Sequence, residues 1–241
     1  MRGKNYIFVL LAAAALLAGT AIIRETSRRD ALLSSLQATV AGNAELSFIP
    51  QTRHIAAPKS SSHGTRISVI GTSFLSPWGP ATQITKGDEN ANLQFSREIS
   101  LSLFRGNAER FLNFFSRHGG NDVAYLRRQL GTSFLQSPLL FYDQILASTP
   151  ANISPFSWAH DIKTELLLLT LKKSLTKEAK GGIWKFSTKT LQGFQIGNPK
   201  LQKVVFLYLF TPAQEYDVVV SGASQEEIDT FLSSFTASST S

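Results

Sequence analysis

The sequence predicts an α+β fold in which an N-terminal transmembrane helix precedes an antiparallel sheet, with helices inserted mid-chain and a C-terminal helix packed on the sheet. Two observations support this fold class. Residues 6–23 are uncharged and mostly apolar, and beyond residue 65 strand patterns both precede and follow a block of helix patterns. Hydrophobic residues make up 43% of the 241-residue chain and charged residues 17%, which is enough apolar material for one packed core.

The pattern changes along the chain in a way that predicts four parts. They are a membrane anchor or signal segment at 1–23, a helical stalk and flexible linker at 24–65, a single α+β domain at 66–236, and a disordered tail at 237–241. Apolar residues at helical spacing extend the first helix to residue 40. Gly, Pro and Ser then accumulate without periodicity, which is typical of a linker that holds a folded body away from a bilayer.

The apolar run at residues 6–23 is long enough to cross a membrane as a helix. Its 18 residues span roughly 27 Å at about 1.5 Å per residue, close to the thickness of the hydrocarbon core. Gly19 and Ala21 offer small side chains for a signal-peptidase site before Ile22, although the apolar run continues through that point. We expect an uncleaved anchor, with a cleaved signal peptide or a buried globular helix as alternatives.

The chain contains no cysteine, so this segment cannot carry a lipoprotein-type lipid. Thr20 stands where the lipidated cysteine of such a site would be. The absence of cysteine also excludes disulfides, thiolate zinc sites and thiol nucleophiles throughout the chain.

Basic residues flank the apolar run on both sides, so the count of positive charges does not by itself predict which side of the membrane the body occupies. Arg2 and Lys4 precede the run, and Arg24, Arg28 and Arg29 follow it. A short basic head before an apolar core is typical of exported proteins. We therefore expect a single-pass protein of the bacterial inner membrane with a periplasmic body; secretion after cleavage and a cytoplasmic body are the alternatives.

Alternating apolar residues predict strands at both ends of the body. The first group covers residues 67–70, 73–75, 81–85, 92–96 and 98–104, and the second covers 183–187, 193–196, 204–210 and 216–220. Polar residues 86–90 predict a hairpin loop in the first group. These short strands with polar turns are typical of antiparallel pairing.

Capping residues predict the helices between and after the strands. The expected N-caps are Asn107, Asn121, Ser137 and Ser157, followed by Ser224, which forms a capping box with Glu227. The Asn107 helix is expected to end at His118 before two glycines, and Pro138 follows Ser137 as a favoured first helical residue. Leucines at 166–169 and 171 make the fourth of these helices apolar almost all round, so we expect it to be buried.

Three short motifs carry a resemblance to known proteins. The strand that runs into Phe74, Pro77 and Trp78, the "STP" at 148–150 and the "GFQIGNP" at 193–199 resemble a group of uncharacterised bacterial membrane-anchored proteins. The order of elements over residues 66–236 resembles the PsbP/Mog1/DcrB-like sandwiches. This resemblance implies a non-enzymatic binding or assembly role and transfers no catalytic motif.

The formal charge of +7 is unevenly distributed. Residues 161–203 carry nine Lys against three acidic residues, whereas residues 215–229 carry five acidic residues and no basic one. We interpret the Lys-rich stretch as a solvated face, with anionic lipid headgroups as an alternative partner. Nucleic acid is not expected as a partner, because the chain has no recognition motif and no RNP-type interleaving of basic and aromatic residues.

The four histidines have ordinary structural explanations. His54 and His63 fall in the predicted linker, and His118 falls at a helix C-terminus, where a cation is favourable. His160 lies in a first helical turn beside Asp161. Glu165 shares a helix face with Asp161, but no third ligand converges on them, so no metal site is assigned.

Nucleophile and cofactor motifs are equally sparse. Ser174 and Lys177 match S-x-x-K without its companion motifs, and no P-loop, G-x-S-x-G or dinucleotide fingerprint occurs. Trp78 is expected to plug the edge of the core or to contact a partner, and Trp158 and Trp184 are expected to lie in the core. No catalytic, cofactor-binding or metal residue is therefore assigned.

The expected function is that of a membrane-anchored, extracytoplasmic domain that binds a protein partner or assists envelope assembly without catalysis. The membrane contact is assigned to residues 6–23, while the protein partner and the oligomeric state are left open. Two alternatives remain. One is a hydrolase whose site is assembled from separate segments, with His118 or His160 as general base, and the other is a domain that binds a small ligand or lipid.

Overall fold

The computed structural model describes residues 3–55, 64–95, 98–107, 122–131, 137–154, 156–177 and 179–237. At residues 3–19 and 123 it describes the backbone alone. Within these ranges the helices are α1 (Gly3–Val40), α2 (Asp122–Leu130), α3 (Pro138–Ala147), α4 (Ala159–Thr176) and α5 (Gln225–Ser234). Short 3-10 turns cover Ala44–Ser47 and Pro150–Asn152.

Two groups of strands flank the central helices, so the fold is α+β, as predicted. The first group contains β1 (Gln51–His54), β2 (Thr65–Val69), β3 (Thr72–Ser76), β4 (Ala81–Lys86), β5 (Asn90–Phe95) and β6 (Ser100–Arg105). The second contains β7 (Ile183–Ser187), β8 (Gln192–Ile196), β9 (Val204–Phe210), β10 (Glu215–Ser221) and β11 (Thr236–Ala237). The predicted hairpin loop at 86–90 is confirmed, because β4 and β5 pair antiparallel across it.

Eight strands form one mixed sheet in the order β1-β7-β8-β9-β10-β6-β5-β4, and β11, β3 and β2 form a second, smaller sheet. Strand β1 runs parallel to β7, with Gln51 opposite Trp184. The prediction of a purely antiparallel sheet is therefore wrong at this edge. The side chains of β1 do not alternate between buried and exposed positions. The sequence of β1 therefore contains no pattern that predicts a strand, and the strand is defined by its pairing with β7.

The segment predicted as a linker contains ordered elements before residue 56. Residues 44–47 form a 3-10 turn whose Leu46 is fully buried, and residues 51–54 form the edge strand β1. Residues 56–63 lie outside the described part of the chain. The linker interpretation fails for residues 44–54, because polar contacts from the body hold this aperiodic segment in place. At the other terminus, Ala237 belongs to β11, and residues 238–241 lie outside the described residues.

Alternation along the central strands directs side chains into two cores. On one face of the large sheet, Leu207 and Val218 pack with Phe74 of the small sheet and Phe231 of α5. On the other face, Phe194 of β8 packs with side chains of α3 and α4. The sheet is therefore covered on both faces, which explains why apolar residues also occupy partly outward positions on β9.

Helix α4 is the buried helix that its leucines predicted. Leu168, Leu169, Leu171 and Leu175 are buried, and α4 contacts α1, α2 and α3. Leu169 forms a third cluster with Leu36 of α1 and Leu46. The helix predicted over residues 24–40 is thus present, but it packs on the body instead of standing away from it.

The predicted caps agree with the structure at two of the described positions. The Ser137 hydroxyl accepts a hydrogen bond from the Leu140 amide, and Ser224 and Glu227 form the complete capping box. Ser157 is one residue too early, since α4 begins after Trp158. Asn107 is described, but the helix expected to follow it as far as His118, and the cap expected at Asn121, lie outside the described residues. The helix expected after Asn121 is present as α2.

In the part of the chain whose side chains are described, no helix combines the length and apolar character needed to cross a membrane. The side chains of residues 6–19, which form most of the expected anchor, lie outside that part.

Candidate functional site

The clearest surface feature is an aromatic patch formed by Ile22, Phe156 and Trp158. Phe156 is 90% exposed, Trp158 is 65% exposed and Ile22 is 66% exposed. Together with Glu25 and Arg29 they line a cleft of about 490 Å³ between α1 and the loop before α4. Large apolar side chains that cluster on a surface mark a site of interaction with another molecule or a membrane.

Local hydrogen bonds hold the loop that carries the two aromatic rings. The Ser154 amide donates to the Ser157 hydroxyl at 3.0 Å, and the Ser157 amide donates to the Ser154 carbonyl at 3.0 Å. The Phe156 amide donates to the Ser154 hydroxyl at 3.2 Å. This short ring of contacts fixes the backbone between α4 and the preceding 3-10 turn, so the aromatic side chains project from an ordered loop.

Helix α1 supplies the cap of α4. The first helical amide, at Ala159, donates to Glu25 Oε1 at 2.7 Å, while the N-cap residue Trp158 makes no side-chain capping bond of its own. A carboxylate at a helix N-terminus satisfies an orphan amide and interacts favourably with the helix dipole. This contact ties the middle of α1 to the start of α4, next to the two aromatic side chains.

Arginines surround the patch on α1. Arg24 and Arg28 are exposed, and Arg29 lies partly buried in the cleft. Arg29 Nε is buried without a hydrogen-bond partner among the described residues. Because Glu25 is engaged by α4, the nearest exposed acidic side chain on α1 is Asp30, and the helix surface next to the patch is positively charged.

A buried lysine joins three segments beneath this surface. Lys172 on α4 is fully buried, and its Nζ donates to the carbonyls of Leu46 at 3.1 Å, Phe48 at 2.6 Å and Ser148 at 2.6 Å. Burial lowers the pKa of Lys172 to about 8, and the nearby Glu165 opposes that shift. With its three hydrogen bonds directed to backbone carbonyls, Lys172 holds the 3-10 turn against α4 and is closed to a substrate.

A second polar cluster holds strand β1. The Arg53 guanidinium pairs with Asp229 of α5 and donates to Gln195 Oε1 at 2.8 Å. Gln195 Nε2 donates to Gln225 Oε1 at 2.7 Å, and Gln225 Nε2 donates to Asp229 Oδ1 at 2.9 Å. Every member is bonded to another, so this network attaches β1 to β8 and α5.

Among the described residues, Asp217 is a carboxyl whose pKa is raised to near neutral pH. It lies on β10 opposite Tyr208 of β9. Burial first, and then the negative charge of Glu215, raise the pKa of Asp217 to about 7. Burial also raises the pKa of Tyr208 and of Tyr142, whose rings lie 4.8 Å apart. A carboxyl that titrates near neutral pH can exchange protons, which is a property of general acids and bases.

A cleft of about 530 Å³ lies two residue pairs farther along the same strands. Glu215 and Phe210, which face each other across β9 and β10, line it together with Lys189 and the start of α3. Asp217 itself is not part of the lining. The Asp217 carboxyl is half-buried and lies near this cavity without lining it.

The histidines singled out in the sequence do not form a site in the described part of the chain. His160 Nε2 lies 3.2 Å from Asp161 Oδ1 on the surface, and His54 is exposed at the end of β1. His63 and His118 lie outside the described residues. Glu165 does not join Asp161; its Oε1 accepts a hydrogen bond from Asn152 at 2.9 Å, and burial raises the pKa of Glu165.

The remaining motif residues have structural roles. Ser174 donates to the Thr170 carbonyl within α4, and Lys177 is the C-cap of that helix. Among the residues that the structure describes, no three His, Asp or Glu side chains are close enough to hold a metal ion.

The three tryptophans differ from one another. Trp78 is buried against Phe95 at 5.0 Å and Phe231 at 6.2 Å, so its core interpretation is confirmed. Trp184 is half-buried on β7. The core position expected for Trp158 is wrong, because this N-cap residue of α4 leaves 65% of its surface exposed. Sequence reasoning missed the patch because Phe156 and Trp158 carry no periodic signal.

Comparisons with known proteins add no relative to this description: no family model matches the chain, and neither the curated proteins nor the solved structures contain a match.

Proposed function

We propose that this chain is a single-pass membrane protein whose body acts outside the cytoplasm as a non-enzymatic binding or assembly domain of a bacterial envelope. Residues 6–23 form the uncleaved anchor in this proposal. The observation that carries it is the continuity of α1, which runs without interruption from the apolar segment to Val40. A helix that contains the anchor and packs on the body positions the body relative to the membrane.

The contacts of α1 with the body favour a fixed tether over a loose one. Glu25 of α1 caps α4. Leu36, eleven residues farther along α1, is buried against Leu169 of α4. A flexible linker allows a domain to search a volume around its anchor. A docked helix instead presents the same face of the domain to the membrane and another to its partners.

The buried charged groups favour binding over catalysis. Lys172 is occupied by three backbone carbonyls, and Arg53 is occupied by Asp229 and Gln195. Such groups stabilise a fold without meeting a substrate. The resemblance to membrane-anchored proteins and to sandwich-type assembly factors supports the same interpretation.

The anchor and the orientation are tested together in cells. A fusion of alkaline phosphatase to Ser241 is expected to be active and to stay in the membrane pellet after alkaline extraction, at the size of the uncleaved chain. Leu11→Arg is expected to release the protein, because a charge inside the apolar run costs up to about 3 kcal/mol. Ser27→Arg, outside the apolar run, is the matched control and is expected to remain membrane-bound.

Three results would contradict this proposal. A soluble product shortened near Ala21 indicates secretion, and an inactive phosphatase on a membrane-bound chain indicates a cytoplasmic body. Retention of the Leu11→Arg variant would show that residues 6–23 are not the anchor.

A second candidate function is that of a hydrolase that uses Asp217, which lies two residue pairs from the cleft lined by Glu215 and Phe210. The Asp217 pKa of about 7 lies near the working range of a general acid or base. Asp217→Asn abolishes activity in this case, whereas in a binding domain it changes stability alone. A turnover screen of the purified protein against ester and phosphoester substrates, run with both forms, separates the two functions.

A further inference from the structure

We propose that Phe156 and Trp158 insert into the headgroup region of the bilayer that holds α1, so that the body rests on the membrane in one orientation. This inference rests on the proposed anchor and adds a second, independent membrane contact. The occupant of the aromatic patch is the phospholipid surface that surrounds α1.

The position of the patch along α1 supports a lipid occupant. The expected anchor ends at residue 23, and Ile22 lines the same cleft as Phe156 and Trp158. Each helical residue rises about 1.5 Å, so the patch lies at the depth where α1 leaves the hydrocarbon core. From Glu25 onward, one face of α1 is covered by the body. The patch is therefore continuous with the membrane-embedded part of the helix.

The chemistry of the two side chains fits this depth. Tryptophan and other aromatic rings concentrate at membrane–water interfaces, where an apolar ring meets lipid and a polar edge meets water. Phe156 and Trp158 are among the most exposed large apolar side chains described, with 90% and 65% of their surface accessible. Apolar surface exposed to water is unfavourable. Insertion of the two rings at the boundary between acyl chains and headgroups removes their apolar surface from water.

The loop is prepared for insertion before it meets the membrane. Ser154 and Ser157 fix its backbone through reciprocal hydrogen bonds, and the Trp158 carbonyl accepts from the Ile162 amide at 3.1 Å in the first turn of α4. An ordered loop loses little conformational freedom on binding. The rings are thus held outward by the fold instead of being ordered by the lipid.

Arginine side chains next to the patch fit lipid phosphates. Arg24 and Arg28 are exposed on α1, and Arg29 reaches into the cleft. Glu25 and Asp30 on α1 and Asp161 on α4 balance these three charges; the Glu25 carboxylate is engaged by the Ala159 amide, and Asp161 lies against His160. The exposed guanidinium groups of Arg24 and Arg28 can donate hydrogen bonds to lipid phosphates at the level at which the rings enter the interface.

The test uses the full chain reconstituted in vesicles of phosphatidylethanolamine and phosphatidylglycerol. Tryptophan fluorescence is measured with nitroxide-labelled lipids whose label lies either near the headgroup or deep in the acyl region. We expect stronger quenching by the shallow label, and loss of this quenchable component in Trp158→Phe. Trp184→Phe is the matched control and is expected to keep it. Thermal unfolding of each variant shows that the fold is retained.

Flotation of the vesicles separates failure of this inference from failure of the anchor. Protein that floats while Trp158 stays unquenched overturns the inference and leaves the anchor intact. Protein that does not float overturns both. A blue-shifted, unquenched Trp158 signal that disappears as the protein is diluted in lipid shows that a second copy covers the patch, which also overturns the inference.

Discussion

The N-terminal segment and the centre of the large sheet are held in place by different kinds of contact. Residues 25–54 are held by a small apolar cluster and by the polar contacts of three side chains, Glu25, Lys172 and Arg53. Strands β9 and β10 instead bury alternating aliphatic side chains on a sheet covered on both faces. A hydrophobic core tolerates substitutions that keep its volume and its apolar pattern. A buried hydrogen bond needs both partners in place, and loss of one partner leaves the other buried and unpaired.

The largest effect is expected at the sheet centre. Leu207→Ala removes a fully buried side chain of β9 and is expected to lower the free energy of unfolding by about 2–5 kcal/mol, through lost burial and the cavity left behind. Urea denaturation followed by circular dichroism measures this loss. Leu201, which is exposed in the loop before β9, is the matched control, and Leu201→Ala is expected to have almost no effect. Equal losses at the two positions would contradict the assigned core.

Lys172→Met is expected to lower the free energy of unfolding by about 3 kcal/mol and to loosen residues 44–54 first. The substitution leaves the carbonyls of Leu46, Phe48 and Ser148 buried without this donor. Hydrogen exchange is expected to accelerate at the β1 amides before it changes in β9. Lys173→Met, at the partly exposed neighbouring position, is the control. Indistinguishable unfolding of the two variants would show that the lysine does not hold this segment.

Asp217→Asn is expected to stabilise the protein above neutral pH by about 2 kcal/mol. The folded pKa of about 7 lies above the ordinary carboxyl value of 3.8, so the native carboxyl favours its neutral form. The stability of the fold with a neutral Asp217 is fully present below about pH 3.8 and is lost as the pH rises through 7, where the folded protein must ionise this carboxyl. Three pKa units correspond to about 4 kcal/mol, and we take half because Asp217 keeps partial contact with solvent.

The measurement is the free energy of unfolding between pH 4 and pH 8. Wild type is expected to lose stability over this range relative to the Asn variant. Glu215→Gln, which removes the second cause of the shift, is expected to reduce the total loss of stability over this range without abolishing it. Parallel pH profiles for wild type and Asp217→Asn would show that Asp217 has an ordinary pKa.

Glu25→Ala is expected to have the smallest effect, about 1 kcal/mol, as is usual for a lost helix cap. The Ala159 amide loses its acceptor, and faster hydrogen exchange in the first turn of α4 reports that loss. Thr26→Ala, one residue along α1 on an exposed position, is the control. If Glu25→Ala instead unfolds the whole body, the contact between α1 and α4 is part of the core and not a surface attachment.

Much of the body was predictable from local patterns. The strands at 183–187 and 204–210, the hairpin loop at 86–90 and the capping box at Ser224 and Glu227 appear where the sequence predicts them. The start of α4 was not predictable, since its cap comes from Glu25 on another helix. The candidate site was missed entirely, because Phe156 and Trp158 lie in a loop where hydrophobicity has no period.

Periodicity, caps and the absence of cysteine chemistry could be read from the chain alone, since each depends on residue type or on neighbours within a few positions. The placement of Lys172, Arg53 and Glu25 required the folded arrangement. Their hydrogen-bond partners Leu46, Gln195 and Ala159 lie 126, 142 and 134 positions away. Contacts over such separations leave no local pattern, because the packing of whole elements, and not the spacing of residues, brings their atoms together.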